Sequence, residues 1–288
     1  MPSSPLQSRE QNIFVPKDIH LPFFSYGVFK PGELAFIRIK DLVIRCSDSS
    51  IAASLRIRDG LPLAMPDPSG KLQGSLIQFR QGSEEAAYRR IAELEPQTQY
   101  RWEATATESG RANYLAGVKP MKGSIVPDED LWNGQQDPLF TVALDVVAET
   151  LQQNERFDWN LKPLFRLEMA YLLLWTAVER YASLRYHLGN KASKKITNIA
   201  REAAFKAALS EHVVEAREVC RADDPTEKHT LDSDSPERAI DYYYQIRSNL
   251  VHRGKGVPLD HERIEKSLRE LLAIFRLTLK AAFDESRW

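Results

Sequence analysis

The chain has 288 residues, a net charge of −1 and ordinary fractions of apolar and charged residues. The length suits two domains of about 100 to 150 residues each, and the composition excludes fibrous and disordered proteins. The balanced charge argues against a surface that is basic throughout, while a local basic patch stays compatible with it. Cys46 and Cys220 lie far apart, without the spacing of a disulfide framework or a zinc site.

The N-terminal residues lack the apolar core of a secretion signal. The longest apolar stretch, Met169 to Val178, has about half of the roughly 20 residues that a bilayer-spanning helix needs. We therefore expect a cytoplasmic protein with no membrane association.

Short strands and one helix are predicted for the first part of the chain. Period-two patterns and glycine turns predict four strands, which lie at Phe23–Tyr26, Leu34–Ile44, Leu76–Phe79 and Tyr100–Thr107. The stretch Glu84–Leu94 instead places Ala87, Ile91 and Leu94 on one helical face. A mixed β/α domain follows from this pattern.

Helical periodicity dominates after Pro138. The predicted helices cover Pro163–Leu188, Ser193–Val219, Ser235 to a stop at Gly254, and a stretch from Asp260 onward, with a loop at 222–234. The predicted organisation is an N-terminal arm, a β/α domain, a linker and an all-α bundle, at 1–20, 21–120, 121–137 and 138–288. The expected fold class is α+β.

One polar pair on the third C-terminal helix has the residue types that RNA cleavage needs. Histidine titrates near neutrality, so His252 suits proton transfer, and the forked donors of Arg247 suit a phosphate. A spacing of five residues on a helix separates the two side chains by about 140° around the axis, so they do not lie on the same face. A structural alternative is that Arg247 is a surface solubiliser and His252 a helix-end charge.

The segment Tyr244–Gly254 resembles the motif of the HEPN family, with Tyr244, Arg247–Ser248, the apolar pair Leu250–Val251 and then His252–Arg253–Gly254. The apolar helix with one glutamate, Leu174–Glu179, is similar to the first core helix of that family. Many ribonuclease members have asparagine directly after the arginine, where this chain has serine first. The resemblance covers roughly 140–288.

This resemblance implies a metal-independent endoribonuclease that is a homodimer through the helical domain, because one copy supplies a single histidine where acid and base are both needed. Arg247 and His252 are then catalytic, supported at the RNA site by Ser248, Asn249 and Glu179. Glu179 has two open interpretations, an ion pair with Arg247 or exposure to solvent. We expect no metal and no other cofactor.

A glycine turn follows the first predicted strand at Tyr26–Gly32. Glycines let the backbone approach a ligand and aim amides at an anion, and the structural alternative is a plain strand-end turn. The turn resembles the YGTLKPG hallmark of the gamma-glutamylcyclotransferase-like family, from which Val28 and Phe29 differ. The segment Ile91–Pro96 resembles the one that carries the catalytic glutamate of that family, and the likeness spans about 22–118.

The second resemblance implies that Glu95 is a general base and acid. It also implies that the turn binds a ligand through Tyr26, Gly27, Val28, Phe29, Lys30 and Gly32. A departure is Pro96, which stands where the family has glycine and favours an extended backbone at Glu95.

Three functions remain open from the sequence. The first is an HEPN endoribonuclease that acts on RNA and is gated by a ligand-sensing N-terminal domain, in a bacterial defence or toxin–antitoxin setting with an antitoxin or defence partner. The second is a cyclotransferase acting on gamma-glutamyl amines, with the helical half used for dimerisation. The third is a non-catalytic ligand-binding or interaction protein.

Overall fold

The computed structural model describes residues 14–58, 60–95, 98–119, 123–127, 131–154, 160–186, 192–253 and 260–288, with the side chains of 136, 192–195, 252, 253 and 260 left out. The chain is α+β and forms two compact units. A sheet unit comprises Met1–Tyr26, Asp41–Arg58 and Pro62–Leu131. A helical unit comprises Gly27–Lys40, Asp59–Leu61 and Trp132–Trp288.

The sheet unit is built on seven strands that curl into a half-barrel. The strands are β1 Phe23–Ser25, β2 Val43–Ile51, β3 Ala53–Arg58, β4 Leu61–Pro66, β5 Leu72–Phe79, β6 Tyr100–Thr107 and β7 Gly110–Gly117. Their order is β2-β5-β1-β7-β4-β3, and β6 pairs with β7 outside this path. β1 runs antiparallel to β5 and parallel to β7, so the strand before the glycine turn is central.

One helix, α1 at Glu84–Leu94, packs in the sheet unit. Its buried face consists of Ala87, Tyr88 and Ile91. The phenol of Tyr88 donates a 2.6 Å hydrogen bond to the carbonyl of Leu21 and accepts one from the Asn113 amide. The polar end of this buried ring is therefore satisfied inside the core.

The helical unit contains six helices and a two-stranded sheet among its described residues. The helices are α2 Val142–Gln152, α3 Lys162–Tyr186, α4 Ala192–Ile199, α5 Ala203–His212, α6 Pro236–Arg253 and α7 Asp260–Glu285. The strands β8 Arg217–Cys220 and β9 Lys228–Leu231 form an antiparallel hairpin. Helix α3 is central, because its buried face runs almost its full length through Leu167, Tyr171, Leu174, Trp175, Val178 and Tyr181.

The predicted strand at Leu34–Ile44 is wrong for most of its length. The structure has 3₁₀ helices at Leu34–Arg38 and Lys40–Leu42, and β2 begins only at Val43. Leu34, Ala35 and Phe36 are buried in succession, whereas a strand would send alternate side chains to opposite faces. The first 3₁₀ helix contacts α3 and α7 within the helical unit.

The predicted all-α character of the second half is also wrong. The expected helix at Ser193–Val219 is divided into α4 and α5 and ends in β8, and the expected loop at 222–234 contains β9. The hairpin buries Val219 and Leu231. A strand of four residues contains only two periods of alternation, which are too few to distinguish it from a helix or a loop in the sequence.

Other predicted elements are confirmed. The bounds of α1 and β6 are those predicted, and α3, α6 and α7 lie where helices were expected. The predicted helix stop at Gly254 and most of the predicted N-terminal arm lie outside the described residues. Among the helices that are described, none combines the length and apolar character needed to cross a membrane.

Candidate functional site

Arg247 lies on α6 with a partly exposed side chain. Its Nη2 is 3.3 Å from Oε1 of Glu179 on α3, and its guanidinium carbon is 5.9 Å from the centre of the Tyr244 ring. Tyr244 in turn meets Trp175 edge to face, with ring centres 5.7 Å apart. Of the two interpretations of Glu179, the structure therefore has the ion pair. The guanidinium is oriented by one carboxylate and one aromatic ring.

The backbone of α6 continues through position 252, whereas the His252 side chain and Gly254 lie outside the described residues. The role of His252 in proton transfer stays a prediction. Ser248 is partly exposed on the same helix, and its support of an RNA site also stays a prediction.

Asn249 has a role in the helical unit that the sequence did not indicate. Its Oδ1 accepts hydrogen bonds from the Ala222 amide at 3.0 Å and from the Gln245 side chain at 2.8 Å. Its Nδ2 donates to the Cys220 carbonyl at 2.9 Å. The side chain thus fastens the β8–β9 turn to α6, and the predicted support of RNA remains untested.

Glu95 follows the last turn of α1 and has an extended backbone, with φ −92° and ψ 121°. This is the conformation that a following proline favours. The carboxylate is one of the charges that raise the pKa of Tyr26, after burial and the neighbouring Tyr100, with a smaller contribution from Tyr114. Glu95 therefore lies near Tyr26, and Tyr100 and Tyr114 are the other neighbours that raise the pKa of that phenol.

Each of these tyrosines is held by a hydrogen bond. Tyr26 donates to the Leu115 carbonyl at 2.5 Å, and Tyr100 donates to the Pro62 carbonyl at 2.9 Å. Tyr114 donates to the Glu103 carboxylate at 3.0 Å. Tyr114 was not apparent from the sequence, because a tyrosine in a buried strand has the same pattern as a core aromatic.

The glycine turn after Tyr26 belongs by contact to the helical unit. The Lys30 amide donates to the Gly27 carbonyl at 2.9 Å, and the Gly32 amide donates to the Ser286 carbonyl at 2.6 Å. Val28 and Phe29 are buried. Two of the backbone amides expected to bind a ligand therefore donate hydrogen bonds to carbonyls of the protein itself. Ligand binding by the turn stays a prediction.

A buried carboxyl group that the sequence did not reveal lies just after this turn. Glu33 is 6% exposed, and its Oε1 accepts a 2.9 Å hydrogen bond from the Gly134 amide. Burial raises the pKa of Glu33 to about 7, against the opposing effects of that amide and of Lys30. Lys30, also buried, donates to the Trp132 carbonyl. The pair fastens the turn segment to Trp132–Gly134.

Comparisons with known proteins identify no relative that assigns a function. No family model matches the chain, and no curated protein does. Among solved structures, an uncharacterised protein from Pyrococcus horikoshii is similar, with 23% sequence identity and a TM-score of 0.30. The match covers 37% of this chain and 86% of that protein. A likeness this remote carries no argument about function.

Proposed function

We propose that the protein is an HEPN-like, metal-independent endoribonuclease whose catalytic groups are Arg247 and His252. The observation that supports this proposal is the environment of Arg247. Its guanidinium is partly exposed and is oriented by Glu179 and Tyr244, without being buried as a purely structural cation would be. A fixed, accessible guanidinium is suited to a phosphate oxygen.

The proposed reaction uses the RNA itself as the nucleophile. The 2′-hydroxyl loses its proton to a base and attacks the adjacent phosphorus, and the bond to the 5′-oxygen breaks as that oxygen gains a proton. The products are a 2′,3′-cyclic phosphate and a 5′-hydroxyl. Arg247 stabilises the charge on the phosphoryl oxygens, and His252 transfers the protons.

Because one chain supplies one such histidine, the proposal places a second copy of the motif at the same phosphate. The active species is then a homodimer, with acid and base from different protomers. The sheet unit would act as the gating domain through a small ligand, and a role in bacterial defence or as a toxin with an antitoxin partner belongs to the same proposal.

The test is cleavage of a structured RNA by the purified full chain in excess EDTA. We expect cuts that end in cyclic phosphates. Arg247→Ala should lower kcat by about 10²- to 10³-fold, as loss of a transition-state charge donor does. Arg247→Lys should retain part of the activity, because it keeps the charge but not the planar fork. His252→Ala should lower kcat by about 10²- to 10⁴-fold.

A matched control is available on the same helix. Arg238 is exposed and has no ion-pair partner among the described residues, so Arg238→Ala should cleave like the wild type. Cleavage that persists unchanged in both Arg247→Ala and His252→Ala would refute the proposal, as would a wild-type protein that cuts no RNA.

A second candidate function is supported by the surroundings of Glu95. The Glu95 carboxylate is near enough to the buried Tyr26 phenol to raise its pKa, and a carboxylate beside a hydrogen-bonded phenol suits a general base. The corresponding activity is a gamma-glutamylcyclotransferase, which would release 5-oxoproline from a gamma-glutamyl amine. Its test is 5-oxoproline release by the wild type that is lost in Glu95→Gln and kept in Glu108→Gln. Glu108 is exposed in the same unit and bonds to none of Tyr26, Tyr100 and Tyr114.

A further inference from the structure

A groove of about 780 Å³ lies between α2 and α3 of the helical unit. Its volume is within the range of about 300–1,000 Å³ that is typical of ligand pockets. Its walls combine apolar side chains with amides, hydroxyls and two cations, provided by Val146, Thr150, Gln153, Asn154, Asn160, Lys162, Pro163, Arg166, Met169, Ala170, Leu172, Leu173 and Thr176. None of the catalytic or binding residues predicted from the sequence lines this groove.

The charge of the groove selects for an anion. Lys162 and Arg166 are exposed on the first two turns of α3 and have no ion-pair partner among the described residues. No aspartate or glutamate occurs among the described residues that line the groove. Glu265 accepts a 3.1 Å hydrogen bond from the lining residue Asn154. Lys162 and Arg166, in contrast, have no carboxylate partner among the described residues and favour a ligand with negative charge.

The remaining lining favours a ligand that also has a flat, polar-edged body. Met169 is 71% exposed and Val146 is 43% exposed, so the groove offers apolar surface to an occupant. The side-chain amide of Gln153 supplies donors and an acceptor, and that of Asn160 supplies donors, while its Oδ1 accepts a 3.0 Å hydrogen bond from the Lys162 amide. Side-chain amides can hydrogen-bond to the polar edge of a nucleobase, and the apolar surface can contact its face. A simple aliphatic anion would leave the amides without hydrogen bonds to the ligand.

The groove leads toward the proposed catalytic arginine. Its lining follows α3 from Lys162 to Thr176, which is about 21 Å at 1.5 Å per residue. Glu179, the partner of Arg247, lies one turn beyond Thr176 on the same helix. Neither Glu179 nor Arg247 lines the groove, so a strand bound there would reach that guanidinium by extending beyond Thr176.

We infer that the α2–α3 groove binds nucleotides of a single RNA strand, with a phosphate at Lys162 and Arg166 and a base on the surface of Met169. The inference rests on the proposed ribonuclease function and names where its substrate binds. The groove is a binding subsite, separate from the groups that carry out the cleavage.

The test measures binding apart from cleavage. A fluorescent oligoribonucleotide with methylated 2′-hydroxyls cannot be cut by 2′-attack, and fluorescence anisotropy reports its affinity for the full chain. Arg166→Glu should weaken binding by about tenfold or more. Arg166→Gln should lower the slope of log affinity against log salt by about 0.7, which corresponds to one lost phosphate contact on a single strand.

The matched control is Lys206→Glu. Lys206 is exposed on α5, outside the groove, and has no ion-pair partner among the described residues. This variant makes the same change of charge and should bind within about twofold of the wild type. Equal binding by Arg166→Glu and the wild type would overturn the inference.

Two further results would overturn parts of the inference. If adenosine monophosphate bound in the groove and the oligoribonucleotide did not, the ligand would be a free nucleotide instead of a strand. If Met169→Asp halved the particle mass in light scattering and left oligoribonucleotide binding unchanged, the groove would be covered by a second copy of the chain. Failure of the ribonuclease proposal would give a different result, because the wild type would then bind the methylated oligoribonucleotide but cut no RNA. If both proposals hold, Arg247→Ala should lose cleavage and keep groove binding.

Discussion

Arg247 illustrates how a single side chain can be held in place while its charge stays available. An arginine without contacts would lose rotamer freedom on meeting a phosphate, and that loss weakens binding. The contacts with Glu179 and the Tyr244 ring restrict those rotamers in advance. The contact with Glu179 is made through Nη2, and the guanidinium has further donors for a substrate.

Glu179 is therefore expected to be a positioning residue. Glu179→Gln should lower kcat by roughly tenfold with little change in KM, since the arginine keeps its charge but loses its orientation. Steady-state cleavage measures both constants. In the Arg247→Ala background the same substitution should have no further effect. An equal loss from Glu179→Gln in both backgrounds would show that the glutamate acts elsewhere.

Glu33 provides a prediction about pH. Its pKa of about 7 in the folded protein exceeds its ordinary value of 4.5, so the folded state binds more protons than the unfolded chain between these values. Stability should therefore fall as pH rises from about 4.5 to 7, by on the order of 3 kcal/mol. Glu33→Gln should remove this dependence and keep an acceptor for the Gly134 amide.

Urea unfolding at pH 5 and pH 8 tests this prediction. Glu211→Gln on the exposed face of α5 is the control and should show the pH dependence of the wild type. Identical pH dependence of Glu33→Gln and the wild type would contradict the assignment of a raised pKa to Glu33.

At the scale of elements, the β8–β9 hairpin depends on contacts made by the helices. Asn249 on α6 bonds to the backbone at Cys220 and Ala222, and Arg217 on β8 makes a two-pronged ion pair with Glu270 on α7. A two-stranded ribbon is marginal in water without such support. The hairpin is thus held in place by side chains that are distant in sequence.

Asn249→Ala should lower the free energy of unfolding by about 1–3 kcal/mol, because it leaves backbone groups without their partners. Amide hydrogen exchange should accelerate at β8 and β9 before it accelerates in α3. Ser248→Ala, one residue away, should change stability by less than about 0.5 kcal/mol. An unaltered exchange rate in the hairpin of Asn249→Ala would disprove the role given to this amide.

The elements also show which patterns predict structure. The eleven residues of α1 and the eight of β6 provide enough periods for the sequence to indicate their bounds. The segment at Leu34–Arg38 has a strand-like alternation, but tertiary packing buries three consecutive side chains instead. Similarly, the sequence offered the Arg247–Glu179 ion pair as one of two interpretations of Glu179, whereas Glu33 became apparent only through its burial and its contact with Gly134.

For the whole molecule, the helical unit includes a segment from early in the chain, and its folding depends on that segment. Leu34, Ala35 and Phe36 are at most 2% exposed and belong to this unit, although they precede its first long helix by more than 100 residues. Burial of each large side chain contributes about 1.5–3 kcal/mol. A fragment limited to the C-terminal part of the chain would lack these groups.

We therefore expect a fragment of residues 132–288 to lack a cooperative unfolding transition and to bind the dye ANS, while the full chain unfolds cooperatively. Circular dichroism and dye fluorescence measure the two properties. The full chain with Leu34→Asp is the comparison, and its unfolding midpoint should be lower than that of the wild-type full chain. A fragment with the unfolding midpoint of the full chain would contradict the expectation.

The bond between the Gly32 amide and the Ser286 carbonyl joins the start of the chain to its end. At about 5–20 residues per second, ribosomal synthesis separates these two groups by on the order of ten seconds or more. During that interval the apolar segment at Leu34–Phe36 has been made and the helices that bury it have not. The nascent chain thus exposes an apolar segment until those helices are made, and a chaperone that acts at the ribosome would protect it during that interval.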